Sequence, residues 1–247
     1  MRAELTVLAG VVGALLLSMV AYRITPAGRK TSDDTGRGGS FVLGFWVRNW
    51  FYFFIRPLTR LSLSLRLSPF VYNALAIVFG LASMGLFATG HLATAGWMVL
   101  LSGFADVMDG EVARGQGVAD ARGAFLDSTL DRFAEFFAFV GMAWLFRSGP
   151  GGLIVVIALG GSLLVSYTRA RGESVGVLCK FGIMQRAERM LLVGLGSILD
   201  PGITALAGWG EGSLLMGIVG IIAAGTVGTS IYRTVWIARA LHENKES

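Results

Sequence analysis

Asp106, Asp109, Asp127 and Asp131 are the residues of this chain whose type and spacing best suit chemistry. Asp106 and Asp109 are three apart and Asp127 and Asp131 four apart, so on helices each pair shares one face. Both pairs sit close to apolar runs with a short turn between them, which lets two helix ends bring four carboxylates to one point. Like charges so placed repel unless a cation neutralises them. Hard oxygen ligands favour Mg²⁺, Mn²⁺ or Ca²⁺, and Mg²⁺ typically leaves coordination positions open for phosphate oxygens. Gly110 follows Asp109, Ala113 precedes Arg114, and Gly123 lies one helical turn before Asp127. A glycine beside a metal-binding carboxylate admits a bulky ligand close to the backbone, and an arginine there can grip a phosphate with two parallel hydrogen bonds. Metal, glycine and arginine together suit a nucleotide diphosphate. The plainer alternative is ion pairing of the aspartates with Arg114, Arg122 and Arg132. Against it stands the cost of an aspartate in a membrane helix, about 2.5–3.5 kcal/mol at the centre and less near the interface.

The elements that must position these residues are membrane helices. The 247-residue chain is 54% hydrophobic and only 15% charged, with a mean hydropathy of +0.66, whereas a soluble domain carries about a quarter charged residues. Continuous rather than alternating apolar runs argue for helices over a β-barrel, and 35 glycines suit close helix packing in lipid. One cysteine, Cys179, excludes an intramolecular disulfide and a cysteine metal site. His91 falls in a turn and His242 in the charged tail, so catalysis is left to carboxylates, Arg/Lys or a bound metal. Nothing points to nucleic acid.

Residues 1–22 read as a transmembrane anchor rather than a cleaved signal peptide, since no small-residue cleavage site follows the apolar stretch. A flexible linker is expected over 23–40. Residues 41–66 interleave aromatics with Arg48, Arg56, Arg60 and Arg66, the pattern of an amphipathic helix lying in the membrane interface against anionic lipid, with Pro57 breaking or kinking it. Six spans are predicted within 67–240: about 70–90, 93–112, 122–146, 151–170, 187–206 and 212–238. Turns are expected at Gly90-His91, Ser148 to Gly152 and Asp200-Pro201-Gly202, and a polar tail over 241–247. With residues 23–69 on the cytoplasmic side, all of the 21 Lys and Arg residues except Arg2 and Arg147 fall inside. That topology puts the N-terminus outside, the C-terminus inside and the aspartates at the cytoplasmic face. Gly217, Gly220, Gly225 and Gly228 would form a packing or dimer face on the last span.

The run Asp106-x2-Asp109-Gly110-x2-Ala113-Arg114-x8-Gly123-x3-Asp127-x3-Asp131 resembles the signature of the CDP-alcohol phosphotransferase family. The resemblance implies an all-α integral membrane fold with a six-helix core and an interfacial N-terminal helix, to which this chain adds one N-terminal transmembrane anchor. It implies two divalent ions, Mg²⁺ or Mn²⁺, held by Asp106, Asp109, Asp127 and Asp131, with Asp131 also the general base. Asp106, Gly110, Ala113 and Arg114 would line the CDP pocket, and Gly123 would allow close helix approach. The implied reaction is metal-dependent transfer of a phosphatidyl group from CDP-diacylglycerol or a related CDP-alcohol to an acceptor hydroxyl, releasing CMP in phospholipid biosynthesis. A homodimer is implied too.

A basic segment, residues 166–190, follows: Ser166-Tyr167-Thr168-Arg169-Ala170-Arg171-Gly172-Glu173, then Gln185-Arg186-Ala187-Glu188-Arg189. Any cytoplasmic loop tends to be basic, but arginine forks also suit an anionic acceptor. The segment is similar to that of the family branch, from bacteria and archaea, that uses inositol phosphate, except that Gln185 replaces a glutamate. This similarity implies Arg169, Arg171, Arg186, Arg189 and Arg233 as ligands of the acceptor phosphate, an inositol 1-phosphate acceptor, and a bacterial or archaeal cell membrane. Glycerol 3-phosphate or another polyol is the alternative acceptor, and an ether lipid or soluble CDP-polyol the alternative donor. A cation or phosphate transporter would instead place acidic groups near the bilayer midplane on broken helices, often with internal repeats, and neither is present in the sequence.

Overall fold

The computed structural model describes residues 2–25, 44–179 and 182–246, and among these helix is the regular secondary structure, joined by turns and short irregular segments. Eight helices follow in order: α1 (Arg2–Ile24), α2 (Gly44–Ser64), α3 (Pro69–Ala88), α4 (Leu92–Gln116), α5 (Ala121–Leu145), α6 (Gly151–Ser174), α7 (Arg186–Ala207) and α8 (Ser213–Glu246). Most of the expected linker, 26–40, lies outside the described residues. Residues 241–246 of the expected tail continue α8 as helix.

Local chemistry sets the boundaries of the elements that carry the site. Ser68 caps α3, its hydroxyl accepting from the Phe70 amide at 3.3 Å, and Pro69 takes the first helical position, where its missing N–H costs nothing. Gly117, at φ 69°, closes α4 in the left-handed conformation. Three residues later Asp120 caps α5, accepting from the Gly123 amide at 2.6 Å. At α7 the Gln185 amide donates to Glu188 at 2.9 Å, half of a capping box.

Helices α3 to α8 close into a ring. Around it α3 packs on α4, α4 on α7, α7 on α8, α8 on α6, α6 on α5, and α5 returns to α3. Small residues set the tightest crossings: a Cβ at Gly96 would lie 2.5 Å from the Gly194 carbonyl oxygen, and one at Gly141 2.5 Å from that of Met84. Phe87, Val99, Phe139, Met142, Val193, Val219 and Ile222 fill the apolar part of the interior. Meanwhile Phe70, Leu153 and Ile221 stand at least 60% exposed on the outside, the polarity of a protein solvated by lipid. Among the described residues five helices (α3, α4, α6, α7 and α8) are long and apolar enough to cross a membrane. The sixth expected span, α5, is a 25-residue helix in which Arg122, Asp127, Asp131, Arg132 and Glu135 leave no long stretch as free of charge as those of the other five.

Two expected interruptions are absent as breaks in the helices. Pro57 does not break α2, which runs through it from Gly44 to Ser64. Tertiary contacts hold the helix on both sides of the proline: Ile55 packs with Tyr72, Met108 and Val112, and the Ser62 and Tyr72 hydroxyls meet at 2.5 Å. Asp200-Pro201-Gly202 is likewise not a turn but part of α7, which ends at Gly208 with φ 69°. Asp200 is fully buried there, and its carboxylate accepts from the Gly212 amide at 2.7 Å and the Leu215 amide at 2.8 Å. An aspartate inside one helix thus caps the next. Of the four glycines considered on α8, Gly225 packs against Met184, while Gly217, Gly220 and Gly228 have open space beside them in the single chain.

Because a hydrogen bond to a charged group is worth about 1.5–3 kcal/mol, Asp200→Ala is expected to cost about 3 kcal/mol. Thermal unfolding of the detergent-solubilised protein checks this, and an unchanged midpoint would remove Asp200 as the cap of α8.

Candidate active site

The end of the ring where α4 hands over to α5 holds the acidic groups. Asp106 and Asp109 lie towards the end of α4, and Asp127 and Asp131 in the first half of α5. Carboxylate oxygens of Asp106, Asp109 and Asp127 come within 4.8 Å of one another. Asp109 is only 3% exposed, yet neither of its oxygens has a hydrogen-bond partner. A buried carboxylate without compensation is strongly unfavourable, and three hard-oxygen donors around one point are the ligand set of a divalent cation. The residues present therefore fit a metal ion.

Asp131, expected as a fourth ligand, stands outside this trio. Its Oδ2 lies 2.7 Å from Arg186 Nη1, the same nitrogen that contacts Asp106 Oδ2 at 2.7 Å. One guanidinium nitrogen thus joins the two helices that carry the acids, and it relieves the repulsion that a cation relieves among the other three. The remaining donors of Arg186, Nε and Nη2, are shielded and have no partner.

The other expected ligands of the nucleotide flank the trio. Arg114 lies half-exposed over Gly110, where a Cβ would come within 3.0 Å of its guanidinium, and Glu111 anchors it at 2.7 Å. Gly110 thus makes room first for a side chain of its own helix. Ala113 is half-buried one turn further on. Gly123 does not meet a neighbouring helix as expected. The nearest atom to a Cβ there would be the Asp120 cap oxygen at 3.1 Å, so its small size serves the start of α5.

The acceptor arginines separate into groups. Arg186 alone reaches the aspartates. Arg169 and Arg171 are exposed near the end of α6, where Arg169 pairs with Glu173 at 2.9 Å and Arg171 reaches the Ser174 hydroxyl at 3.4 Å. Arg233 on α8 is buried, donates to the Val165 carbonyl at 2.7 Å, and lies within electrostatic reach of Arg169. Arg189, expected as another ligand of the acceptor phosphate, stands apart from the open site. It is fully buried and gripped by Glu135, with Nε 2.7 Å from Oε1 and Nη2 3.1 Å from Oε2, so its donors face a carboxylate and not an open site. Glu135 and Ser162, which donates to Glu135 at 2.6 Å, are not among the residues that the sequence motifs mark. Glu135 does carry a signal, since it extends Asp127-x3-Asp131 by one more helical turn, whereas Ser162 carries none.

The chain is similar to several known proteins. The family described as CDP-alcohol phosphatidyltransferase matches residues 65–209. The archaetidylinositol phosphate synthase of Methanothermobacter thermautotrophicus is 38% identical over 148 residues, 56% of this chain and 74% of its own. The phosphatidylinositol phosphate synthase of Cutibacterium acnes is 35% identical over 196 residues, 75% of this chain and 93% of its own. Crystal structures of the Mycobacterium tuberculosis phosphatidylinositol phosphate synthase are similar to 73% of this chain. The one with CDP-DAG bound has 28% identity and a TM-score of 0.64 over 92% of its chain. The one in complex with manganese and citrate has 27% identity and a TM-score of 0.64 over 87%.

Loss of an outer-shell partner alone weakens metal binding about 10–100-fold, so Asp109→Asn is expected to weaken Mn²⁺ binding by at least that much. Electron paramagnetic resonance titration of the solubilised protein measures it. An isotherm like that of the wild type would remove Asp109 from the metal site.

Proposed function

The chain belongs to the CDP-alcohol phosphatidyltransferase family, and from that membership we propose that it moves the phosphatidyl group of CDP-diacylglycerol to inositol 1-phosphate, releasing CMP. The observation that carries the reading is Arg186: one nitrogen holds Asp131 beside Asp106, while two shielded donors remain unused. A phosphorylated acceptor engaging those donors brings its hydroxyl beside Asp131. Asp131 takes the hydroxyl proton, the oxygen attacks the β-phosphorus, the bond from that phosphorus to the bridging oxygen breaks, and CMP leaves. Asp106, Asp109 and Asp127 would hold the metal, two ions of Mg²⁺ or Mn²⁺ with Asp131 as a further ligand, and when bound it would neutralise charge on the diphosphate. Asp106, Gly110, Ala113, Arg114 and Gly123 line the nucleotide side. Arg169, Arg171 and Arg233 bring positive charge to the acceptor side.

The names of the relatives support inositol phosphate over glycerol 3-phosphate. In the membrane, α1 is an anchor, α2 lies in the interface with Arg56 and Arg60 towards the headgroups, and α3 to α8 span. The site faces the cytoplasm, the N-terminus lies outside, and two copies associate.

Incubation with CDP-diacylglycerol, Mg²⁺ and labelled acceptors tests the substrate: inositol 1-phosphate is expected to give product, and product from glycerol 3-phosphate alone would replace that acceptor. General bases contribute about 10²–10⁴-fold. Asp131→Asn should therefore lower CMP release by that factor while the protein stays folded and binds Mn²⁺, and CMP release near the wild-type rate would sink the assignment.

A further inference from the structure

The base and the acceptor arginine sit on helices that barely touch. In the ring, α5 is held by α3 and α6, and α7 by α4 and α8, while the backbones of α5 and α7 hardly approach each other. What spans the gap between them is charge. Glu135, one turn after Asp131 on α5, receives both Nε and Nη2 of Arg189, one turn after Arg186 on α7. Both side chains are at most 2% exposed.

The pair has further partners, and each fixes a different element. Ser162 of α6 donates to Glu135 Oε1 at 2.6 Å. Arg189 Nη1 donates to the Met184 carbonyl at 2.6 Å. Met184 is the residue before the cap of α7 and holds a left-handed backbone at φ 64°, which an unbranched side chain tolerates only when its surroundings enforce it. Its side chain packs onto Gly225 of α8. One buried cluster therefore joins α5, α6 and α7 and the end of the basic loop, directly beneath the Asp131–Arg186 contact.

We propose that Glu135 and Arg189 are positioning residues: a strut across the ring that sets the spacing of Asp131 from Arg186, and so the fit of the phosphorylated acceptor but not of the CDP-alcohol. The proposal rests on the transfer reaction proposed above. A bidentate arginine–carboxylate pair suits the task because its two parallel bonds fix orientation as well as distance. The nucleotide side is built on α4 and the start of α5, and among the described residues neither the Glu135 nor the Arg189 side chain hydrogen-bonds to either.

Conservative variants test it, because deleting either partner would leave a buried charge unpaired and endanger the fold. Glu135→Asp draws the carboxylate back by one methylene, and Arg189→Lys keeps the charge but loses the fork. Both are expected to fold, to bind Mn²⁺ and CDP-diacylglycerol within two-fold of wild type, and to raise the KM for inositol 1-phosphate at least ten-fold with a lower kcat. Unchanged acceptor kinetics in a folded variant, or an equal rise in both KM values, overturns the proposal. A distance measurement separates this from failure of the reaction itself. Spin labels at Phe133→Cys and Ala187→Cys, in a Cys179→Ser background, report the spacing of α5 and α7. If the wild type transfers to no polyol phosphate, the functional reading falls, and the labels decide the strut alone. A shifted or broadened distribution in Glu135→Asp supports it, and a wild-type distribution overturns it.

Discussion

Repulsion among carboxylates governs this molecule. Four aspartates converge where α4 ends and α5 begins, and the protein meets the cost in two ways. Asp106 and Asp131 share an arginine that reaches across from α7. Asp109 is left buried with both oxygens unpartnered, and together with Asp106 and Asp127 it forms a nest for a cation. Much of the surrounding architecture follows from serving both arrangements. The Gly96–Gly194 crossing brings α7 close to α4, and the Asp120 cap starts α5 immediately after the left-handed turn that ends α4.

The relation of the two arginines on α7 illustrates how environment divides labour between identical side chains. Arg186 and Arg189 are three residues apart and nearly one face of a helix. Arg186 retains about a fifth of its exposure and two shielded donors without a partner, which leaves room for the role proposed for it. Arg189 has none, and its fork is spent on Glu135. A buried ion pair adds little net stability over apolar packing. Its value here is directional.

The sequence made the helices and the acidic motif legible because both depend on local spacing. Apolar runs gave the core helices within a few residues of their ends, save the last, and the three- and four-residue intervals placed each aspartate pair on one face. What stayed hidden depends on tertiary partners. Asp200-Pro201-Gly202 has the composition of a turn, but its aspartate faces the amides of Gly212 and Leu215, a contact no local pattern encodes. Pro57 has the chemistry of a break, but flanking contacts at Ile55 and Ser62 accompany a helix that continues past it. Arg189 looked like Arg186 in a basic loop, and only the position of Glu135, 54 residues earlier, tells them apart.

That interval also has a history in it. The chain is synthesised from its N-terminus, so α5 emerges with Glu135 long before Arg189 exists. Among the ring helices α5 is the most densely charged and lacks the long charge-poor stretch that the others have. Its neighbour α3 is already made and can shelter the apolar face at the Gly80–Ala134 and Gly141–Met84 contacts, but the glutamate must wait for α7. The order of synthesis thus sets the order in which the partners become available: the carboxylate first, the cation that pairs with it two helices later.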